Sequence, residues 1–451
     1  MNTSNNASQP SQRVGQLHPA RFIVLGYLAV TLLGTFLLSL PISHAPGTTV
    51  GFLDALFTAT SATAVTGLTV RDTGSDFSIF GQLVIMFLIQ IGGLGLMATV
   101  TLFAVLLGWR IGIHQRLLLT VDLNQPSISG VVRLVRNVFW FTVLFELVGA
   151  IILFTAFRED MSAGTAIFFA VFHAISAFCN AGFDLFGDSL QGFRGNAIVN
   201  LTVAALIIVG GLGFAVLQDV AAHRRWSRLS FHSRVVLVTT ATLLLLGTVG
   251  VLVLEVNNTR TLRSLPWGER LLASFFQSAT TRTAGFNTVP TESLATPTLF
   301  LFLLLMFIGA SPGSTGGGIK TTTLAVFLAV LHSAARRRKD IELGRYRIGA
   351  ASLDGALVVV TGTVLWIMVV TFVLLVSDGK EFLATLFEVV SAMGTVGLSM
   401  GITRELSPLG KVLIICTMFI GRVGPIAVVL SLGQRSAHQA IRRPEKTLIV
   451  G

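Results

Sequence analysis

Ser61-Ala-Thr-Ala-Val-Thr-Gly67-Leu68 is one of four copies of a single phrase in this 451-residue chain. The others are Ser176-Ala-Phe-Cys-Asn-Ala-Gly182-Phe183, Ala279-Thr-Thr-Arg-Thr-Ala-Gly285-Phe286 and Ser391-Ala-Met-Gly-Thr-Val-Gly397-Leu398. Their glycines are 115, 103 and 112 residues apart, so the chain reads as four related units. Each unit consists of a long apolar run, a shorter semi-polar run ending in the phrase, and a second long apolar run. That layout is what a pore made from four re-entrant loops requires.

Hydrophobic residues make up 53% of the chain and charged residues 12%, which excludes an ordinary soluble domain. Stretches of roughly 18 or more apolar residues cross a hydrocarbon core of about 30 Å as helices. Eight qualify, at 22–41, 79–107, 135–157, 196–217, 234–255, 298–332, 354–376 and 409–432. Shorter runs lie near 52–66, 164–181, 268–284 and 380–396, and about 12 helical residues rise only about 18 Å. The expectation is therefore an all-α polytopic membrane protein of four M1-P-M2 repeats. It has eight transmembrane helices, four re-entrant pore helices and their filter loops, in pseudo-fourfold arrangement. The repeats span 21–107, 135–218, 234–335 and 354–433, flanked by tails at 1–20 and 434–451.

A net charge of +11 invites a nucleic-acid reading, but the placement of the basic residues excludes it. With eight crossings, 20 of the 32 Lys and Arg residues face the cytoplasm and 9 face outward, while Arg282, Lys320 and Arg422 lie at membrane depth. This is the positive-inside pattern, with both tails cytoplasmic. Twelve crossings would put the basic clusters at 108–136 and 335–350 outside. Two cysteines, Cys179 and Cys416, make neither a disulfide framework nor a metal site.

A helix that enters halfway and stops aims its C-terminal carbonyls, worth about half a negative charge, at whatever lies beyond. Non-helical backbone at membrane depth is tolerated where it lines a watery cavity. The expected cation filter is Val65, Thr66, Gly67 and Leu68 with Asn180, Ala181, Gly182 and Phe183, and then Thr283, Ala284, Gly285 and Phe286 with Thr395, Val396, Gly397 and Leu398. Glycine takes the backbone angles that turn carbonyls inward, and rings of carbonyls replace a hydration shell, as in potassium filters. No acidic side chain lies within the phrases, which speaks against a carboxylate-ring filter. Asp72, Asp76, Asp184 and Asp188 follow the first two copies, either as an outer vestibule or as ordinary loop charges.

With these phrases, Gly309-Ala-Ser-Pro-Gly-Ser-Thr-Gly-Gly-Gly-Ile-Lys320 and Gly421-Arg422, the chain resembles the Trk/Ktr/HKT superfamily of potassium transporters over essentially its whole length. Its length is more similar to the membrane subunit of bacterial Ktr systems than to the longer Trk type. The resemblance implies potassium uptake across the plasma (inner) membrane by a homodimer with one pore per subunit. It also implies control by a cytosolic ring of RCK-type nucleotide-binding subunits, a separate polypeptide because no G-x-G-x-x-G follows a strand in this chain.

The segment 309–323 interrupts the third long run with Pro312 and five glycines, each costly inside a helix. Gly309, Ser311, Pro312, Gly313, Ser314, Thr315, Gly316, Gly317, Gly318 and Lys320 are read as an intramembrane gating loop, at the place where the family carries one. Its superficial likeness to a phosphate-binding G-x-x-x-x-G-K-[ST] phrase fails, because Ile319 separates Gly318 from Lys320 and apolar spans flank it. Lys320 is expected at the cytoplasmic interface or pore mouth. Arg422, a cation inside an apolar run, is read as a gating residue facing the pore and pairing with that loop. Arg282 is read as holding its loop, with Glu388 one possible partner, and Glu146 and His173 as structural polar groups. The functional expectation is K⁺ translocation through a channel-like pore, with a Na⁺- or H⁺-coupled symporter as the alternative. No enzymatic site and no covalent cofactor are expected. The partners are membrane lipids, a second copy and the cytosolic ring, with K⁺, or Na⁺, as the ion.

Overall fold

The computed structural model describes residues 19–106, 112–122, 130–338 and 340–424. The tail up to residue 18, Arg110, Lys339, the last apolar stretch beyond residue 424 and the tail 434–451 lie outside the described residues.

Along the chain, α1 (Pro19–Leu38) is followed by α2 (Phe52–Thr63), α3 (Ile79–Leu94), α4 (Leu96–Leu106) and α5 (Ile113–Asp122). Next come α6 (Val131–Phe157), α7 (Ala163–Phe178), α8 (Ala197–Leu212) and α9 (Phe214–Ala222), then α10 (Phe231–Glu255), α11 (Trp267–Thr280), α12 (Thr296–Phe307) and α13 (Thr321–Ala335). A two-residue-per-strand hairpin, β1 (Glu342–Leu343) with β2 (Tyr346–Arg347), leads to α14 (Ala350–Asp378), α15 (Phe382–Gly394) and α16 (Pro408–Val423).

Four helices are long and apolar enough to cross a membrane among the described residues: α1, α6, α10 and α14. Their outer faces expose Leu33 and Phe36, Leu147 and Ile151, Leu245 and Leu246, and Leu365 and Phe372. That inversion of the soluble pattern suits hydrocarbon as solvent. Each long helix packs against the short helix that follows it, α1 on α2, α6 on α7, α10 on α11 and α14 on α15. A second set of contacts closes a circle: α3 packs on α7, α8 on α11, α12 on α15, and α16 on α2. The short helices are thereby enclosed. Phe57 and Leu68 from the first quarter of the chain pack with Phe302 and Phe387 from the second half, while Phe276 and Phe286 pack with Phe172, Phe178 and Phe183.

Three helices in this circle, α3, α8 and α16, begin as α7 does on Ser162, with a side-chain cap. Ser78 Oγ accepts from Gly81 N at 3.3 Å, Asn196 Oδ1 from Val199 N at 3.1 Å and Ser407 Oγ from Gly410 N at 3.0 Å. Each satisfies an amide the helix leaves unpaired.

Four of the eight long apolar stretches depart from continuous helix. The stretch 79–107 breaks at Gly95 (φ 88°, ψ 140°), 196–217 at Gly213 (φ 95°, ψ 136°), and 409–432 leaves its helix at Gly424 (φ 90°, ψ 138°). At Gly213 the axis turns by 97°. All three glycines hold one conformation that other residues reach only with strain. The stretch 298–332 is interrupted more widely, between Phe307 and Thr321.

Candidate cation pathway

The four short helices end at the four phrases, and each end is tied back by a backbone bond, to the fifth residue before in the first, second and fourth copies and to the fourth before in the third. Thr66 N donates to Ser61 O at 2.8 Å, Ala181 N to Ser176 O at 2.7 Å, Ala284 N to Thr280 O at 3.0 Å and Val396 N to Ser391 O at 2.8 Å. A hydroxyl near each phrase start then reaches across the loop. Ser61 Oγ accepts from Gly67 N and Ser391 Oγ from Gly397 N, both at 3.1 Å, and Ser176 Oγ donates to Phe183 O at 2.7 Å. In the third copy alanine stands at the aligned place, and Thr280 Oγ1 donates to Phe286 O at 2.5 Å instead. The recurring Ser was visible in the sequence; its function as a loop brace was not.

Beyond the helices the backbone alternates in hand. Val65, Asn180, Thr283 and Thr395 are left-handed at φ 56°, 58°, 65° and 49°, and two residues on Gly67, Gly182, Gly285 and Gly397 are left-handed at 89°, 69°, 78° and 90°. The four glycines meet. A methyl group on Gly67 would lie 2.5 Å from Ala181 O, on Gly182 2.7 Å from Ala284 O, on Gly285 2.7 Å from Val396 O, and on Gly397 would strike Thr66 O. The sequence 1 to 2 to 3 to 4 and back to 1 is a closed ring of backbone. The four glycines and the residues just before them meet there, and the other expected filter residues flank them in the chain. Leu68 and Leu398 anchor one apolar core, and Phe183 and Phe286 the other.

Glycines in the surrounding helices let backbone close on the short helices. A side chain at Gly92 would strike Thr63 O, at Gly210 Phe178 O, and at Gly421 Met393 O.

The segment 309–320 lies directly against the ring. Gly316 contacts the Thr283 hydroxyl and Gly317 the Thr395 hydroxyl so closely that neither has room for a Cβ. The segment folds on itself through Gly309 N to Ile319 O at 2.9 Å and Ala310 N to Gly317 O at 3.1 Å. Neighbouring helices hold it through Ser311 N to Gly211 O at 3.0 Å and Thr315 N to Gly210 O at 3.2 Å. Arg422 donates one guanidinium nitrogen to Thr315 O and the other to Gly92 O. Lys320 turns its Nζ back on the segment, donating to Gly316 O at 2.8 Å. Once the segment leaves the helix its carbonyls need donors, and both cations supply them.

Glu388 does not pair with Arg282. Its carboxylate faces the loop after the fourth phrase, accepting from Ser399 Oγ at 2.7 Å and Thr403 Oγ1 at 2.5 Å. Arg282 is buried, its Nε has no hydrogen-bond partner, and it borders a small cavity with Ile207, Ile208, Gly211 and Ala279. His173 is satisfied internally: Nδ1 donates to Phe169 O at 2.7 Å and Nε2 accepts from Leu185 N at 3.4 Å, within a nest of Phe157, Phe172 and Phe186. Glu146 accepts from Gln90 Nε2 at 3.4 Å and Cys179 Sγ at 3.8 Å.

On one side of the ring the aspartates brace their own turns. Asp72 Oδ1 accepts from Gly74 N and Ser75 N, and Asp184 Oδ1 from Phe186 N and Gly187 N. Burial pushes the Asp184 carboxyl up to about 6, and the negative Asp72 nearby adds to the rise.

A largely helical protein with membrane-length apolar helices, whose loops close a backbone ring beyond the C-termini of four short helices, fits the class that moves cations across bilayers. The family described as cation transport protein, TrkH, matches residues 10–437, and the chain belongs to that family. It is 42% identical over 433 residues to the Ktr system potassium uptake protein B of Bacillus subtilis (strain 168), covering 96% of this chain and 97% of the relative. It is 40% identical over 444 residues to the potassium/sodium uptake protein NtpJ of Enterococcus hirae, covering 97% and 98% respectively. The fold matches the crystal structure of the potassium transporter TrkH from Vibrio parahaemolyticus with a TM-score of 0.74 at 18% identity, over 94% of this chain and 86% of that one.

Proposed function

We propose that this chain is the pore subunit of a potassium uptake system in the plasma membrane. It is built from four M1-P-M2 units in pseudo-fourfold arrangement, and K⁺ passes along the axis of the glycine ring. The observation that carries this reading is the closed circuit in which each phrase glycine abuts the carbonyl oxygen preceding the next glycine. A cation on that axis exchanges its water shell for backbone oxygens, in the field of four half-helix C-termini. The filter comprises residues 65–68, 180–183, 283–286 and 395–398.

The segment 309–320 is the gate, and Arg422 is its latch. A loop pressed on the ring from one side blocks passage, and two cations beside it raise the barrier to a third. The loop is held by hydrogen bonds and close glycine contacts rather than by continuous helix, so it moves without unfolding a span. A second copy and a cytosolic nucleotide-binding ring complete the system. Relatives named as parts of a Ktr system support the separate partner, and the exposed Arg336, Arg337 and Arg338 at the end of α13 offer it, or lipid headgroups, a basic surface. The distribution of the basic residues supports a cytoplasmic position for both termini.

The relative named as a potassium/sodium uptake protein favours one second reading, in which Na⁺ is carried or coupled. The experiment is ion flux into proteoliposomes holding the full chain, in K⁺ and in Na⁺, at clamped potentials. Potential-driven K⁺ flux above Na⁺ flux, abolished by Gly285→Ala, is the expected result. Uptake against the K⁺ gradient that needs a Na⁺ gradient would replace the channel with the symporter.

A further inference from the structure

Asn180 is fully buried in the second loop of the ring, and its side-chain amide is bonded at both ends. Nδ2 donates to Arg282 O of the third loop at 3.2 Å, and Oδ1 accepts from Thr315 Oγ1 at 3.1 Å. The orientation is set by these partners, since the reverse would place the amide oxygen against the Arg282 carbonyl. The Thr315 hydroxyl has one proton and two acceptors, Asn180 Oδ1 and Phe178 O, each at 3.1 Å. The Thr315 backbone is also occupied, its N–H on Gly210 O and its carbonyl on Arg422. One residue of the 309–320 segment thus joins the second loop, α8 and α16.

The equivalent left-handed positions in the other loops lack such an arm. Val65 is apolar, Thr395 Oγ1 has no partner, and Thr283 Oγ1 meets Asn180 Nδ2 at 3.5 Å. Among the described residues, Asn180 is the ring side chain hydrogen-bonded to the 309–320 segment. Gly210 makes room for it, since a side chain there would come within 2.8 Å of Asn180 Oδ1.

We infer that Asn180 is a positioning residue that couples the gating segment to the selectivity of the ring, through the Thr315 hydroxyl. With Thr315 seated, the amide bridges the second and third loops and holds their left-handed backbone. When the segment withdraws, Oδ1 loses its donor and the bridge to Arg282 O loosens. The coupling is reciprocal, so an ion that orders the ring favours the seated segment by the same factor. The inference rests on the reading of 309–320 as the gate.

The test is K⁺ and Na⁺ flux through the full chain in proteoliposomes, with the wild type, Thr315→Val, Thr315→Ser, Asn180→Ala, the Asn180→Ala/Thr315→Val double variant, and a chain with 311–318 shortened. Thr315→Val keeps the shape and deletes the proton donor. It is expected to raise basal K⁺ flux roughly three- to tenfold, the effect of one buried hydrogen bond, and to shift the K⁺/Na⁺ flux ratio although Thr315 lies outside the ring. Thr315→Ser restores both, and the double variant matches the single ones, as coupled partners do. Additive effects, an unchanged ratio in Thr315→Val, or no rescue by Ser overturns the coupling. Where Asn180→Ala does not fold, the Thr315 pair decides alone. A shortened segment that leaves flux unchanged overturns the gate itself, and the inference with it; faster flux in that chain with an unchanged Thr315→Val ratio overturns the coupling alone.

Discussion

Lys411 Nζ donates to Asp54 Oδ1 at 2.7 Å although 357 positions of sequence separate the two residues. The other Asp54 oxygen accepts from Arg71 Nε at 2.8 Å. Asp54 lies in the first turn of α2 and Lys411 in the first turn of α16, so the pair fastens the seam between the first and last quarters of the chain, where no short connection joins them. Asp54 and Lys411 are mostly covered, with side chains 12% and 17% exposed. Charge-assisted bonds in such a setting contribute about 1.5–3 kcal/mol each. Asp54→Asn is expected to destabilise the protein by about 2 kcal/mol, seen as a lower melting temperature in detergent, and Lys411→Met by less because Arg71 remains. An Asp54→Asn protein that melts with the wild type would show that the seam is held by packing alone.

Arg422 offers a different handle, because its partners are carbonyls of Thr315 and Gly92 rather than a carboxylate. Removing it leaves no orphaned charge. Arg422→Gln therefore preserves the fold and frees the 309–320 segment, raising basal cation flux by about tenfold or more on the worth of charge-assisted hydrogen bonds. Well-assembled Arg422→Gln protein with wild-type flux would remove Arg422 from the gate.

How far the sequence could be read follows from what kind of signal each feature leaves. The phrase glycines recur 115, 103 and 112 residues apart in one context, and repetition turned a weak motif into an expected topology. The breaks at Gly95 and Gly213, each closing a Gly-Gly-Leu-Gly, and at Gly424, closing Gly421-Arg-Val-Gly424, were harder to read, since they fall inside long apolar runs where small residues serve helix packing equally well. Segment 309–320 was visible as a helix breaker because Pro312 and five glycines fall together. The Arg282 environment was not legible at all: charge complementarity pointed to Glu388, whereas Ser399 and Thr403 had already satisfied that carboxylate. Local patterns report backbone conformation well and three-dimensional partner choice badly.

Asp184 is expected to give cation flux a pH dependence. Its folded value of about 6 stands above the ordinary 3.8, chiefly because burial disfavours the anion. A carboxyl raised in this way contributes stability below its ordinary value, and that contribution is lost as pH rises through the folded value. The charge changes over the same range: between about pH 5 and 7 Asp184 ionises and adds a negative charge one residue beyond Phe183 of the second phrase. K⁺ flux at low ionic strength is expected to climb across that window in the wild type. Asp184→Asn keeps the acceptor for Phe186 and Gly187 and should flatten the climb; an identical profile in both proteins would assign the titration elsewhere.

The third phrase provides the sharpest test of the loop braces. Ser278 looks like the counterpart of Ser61, Ser176 and Ser391, displaced by one residue, yet its hydroxyl leaves the loop and donates to Leu244 O on α10 at 2.9 Å. Thr280 braces the loop instead, through Phe286 O. Thr280→Val keeps the volume and leaves the Phe286 carbonyl without its donor inside the protein, a loss of about 1–3 kcal/mol. Because that carbonyl follows Gly285, the loss falls on the ring, and both the K⁺/Na⁺ flux ratio and the K⁺ flux are expected to drop. Ser278→Ala removes a bond of similar length between α10 and α11, so it lowers the melting temperature and leaves the flux ratio alone. If the two variants change selectivity equally, the hydroxyls act through general packing. If only Thr280→Val does, the brace belongs to the ring and the third copy has moved it from Ser to Thr.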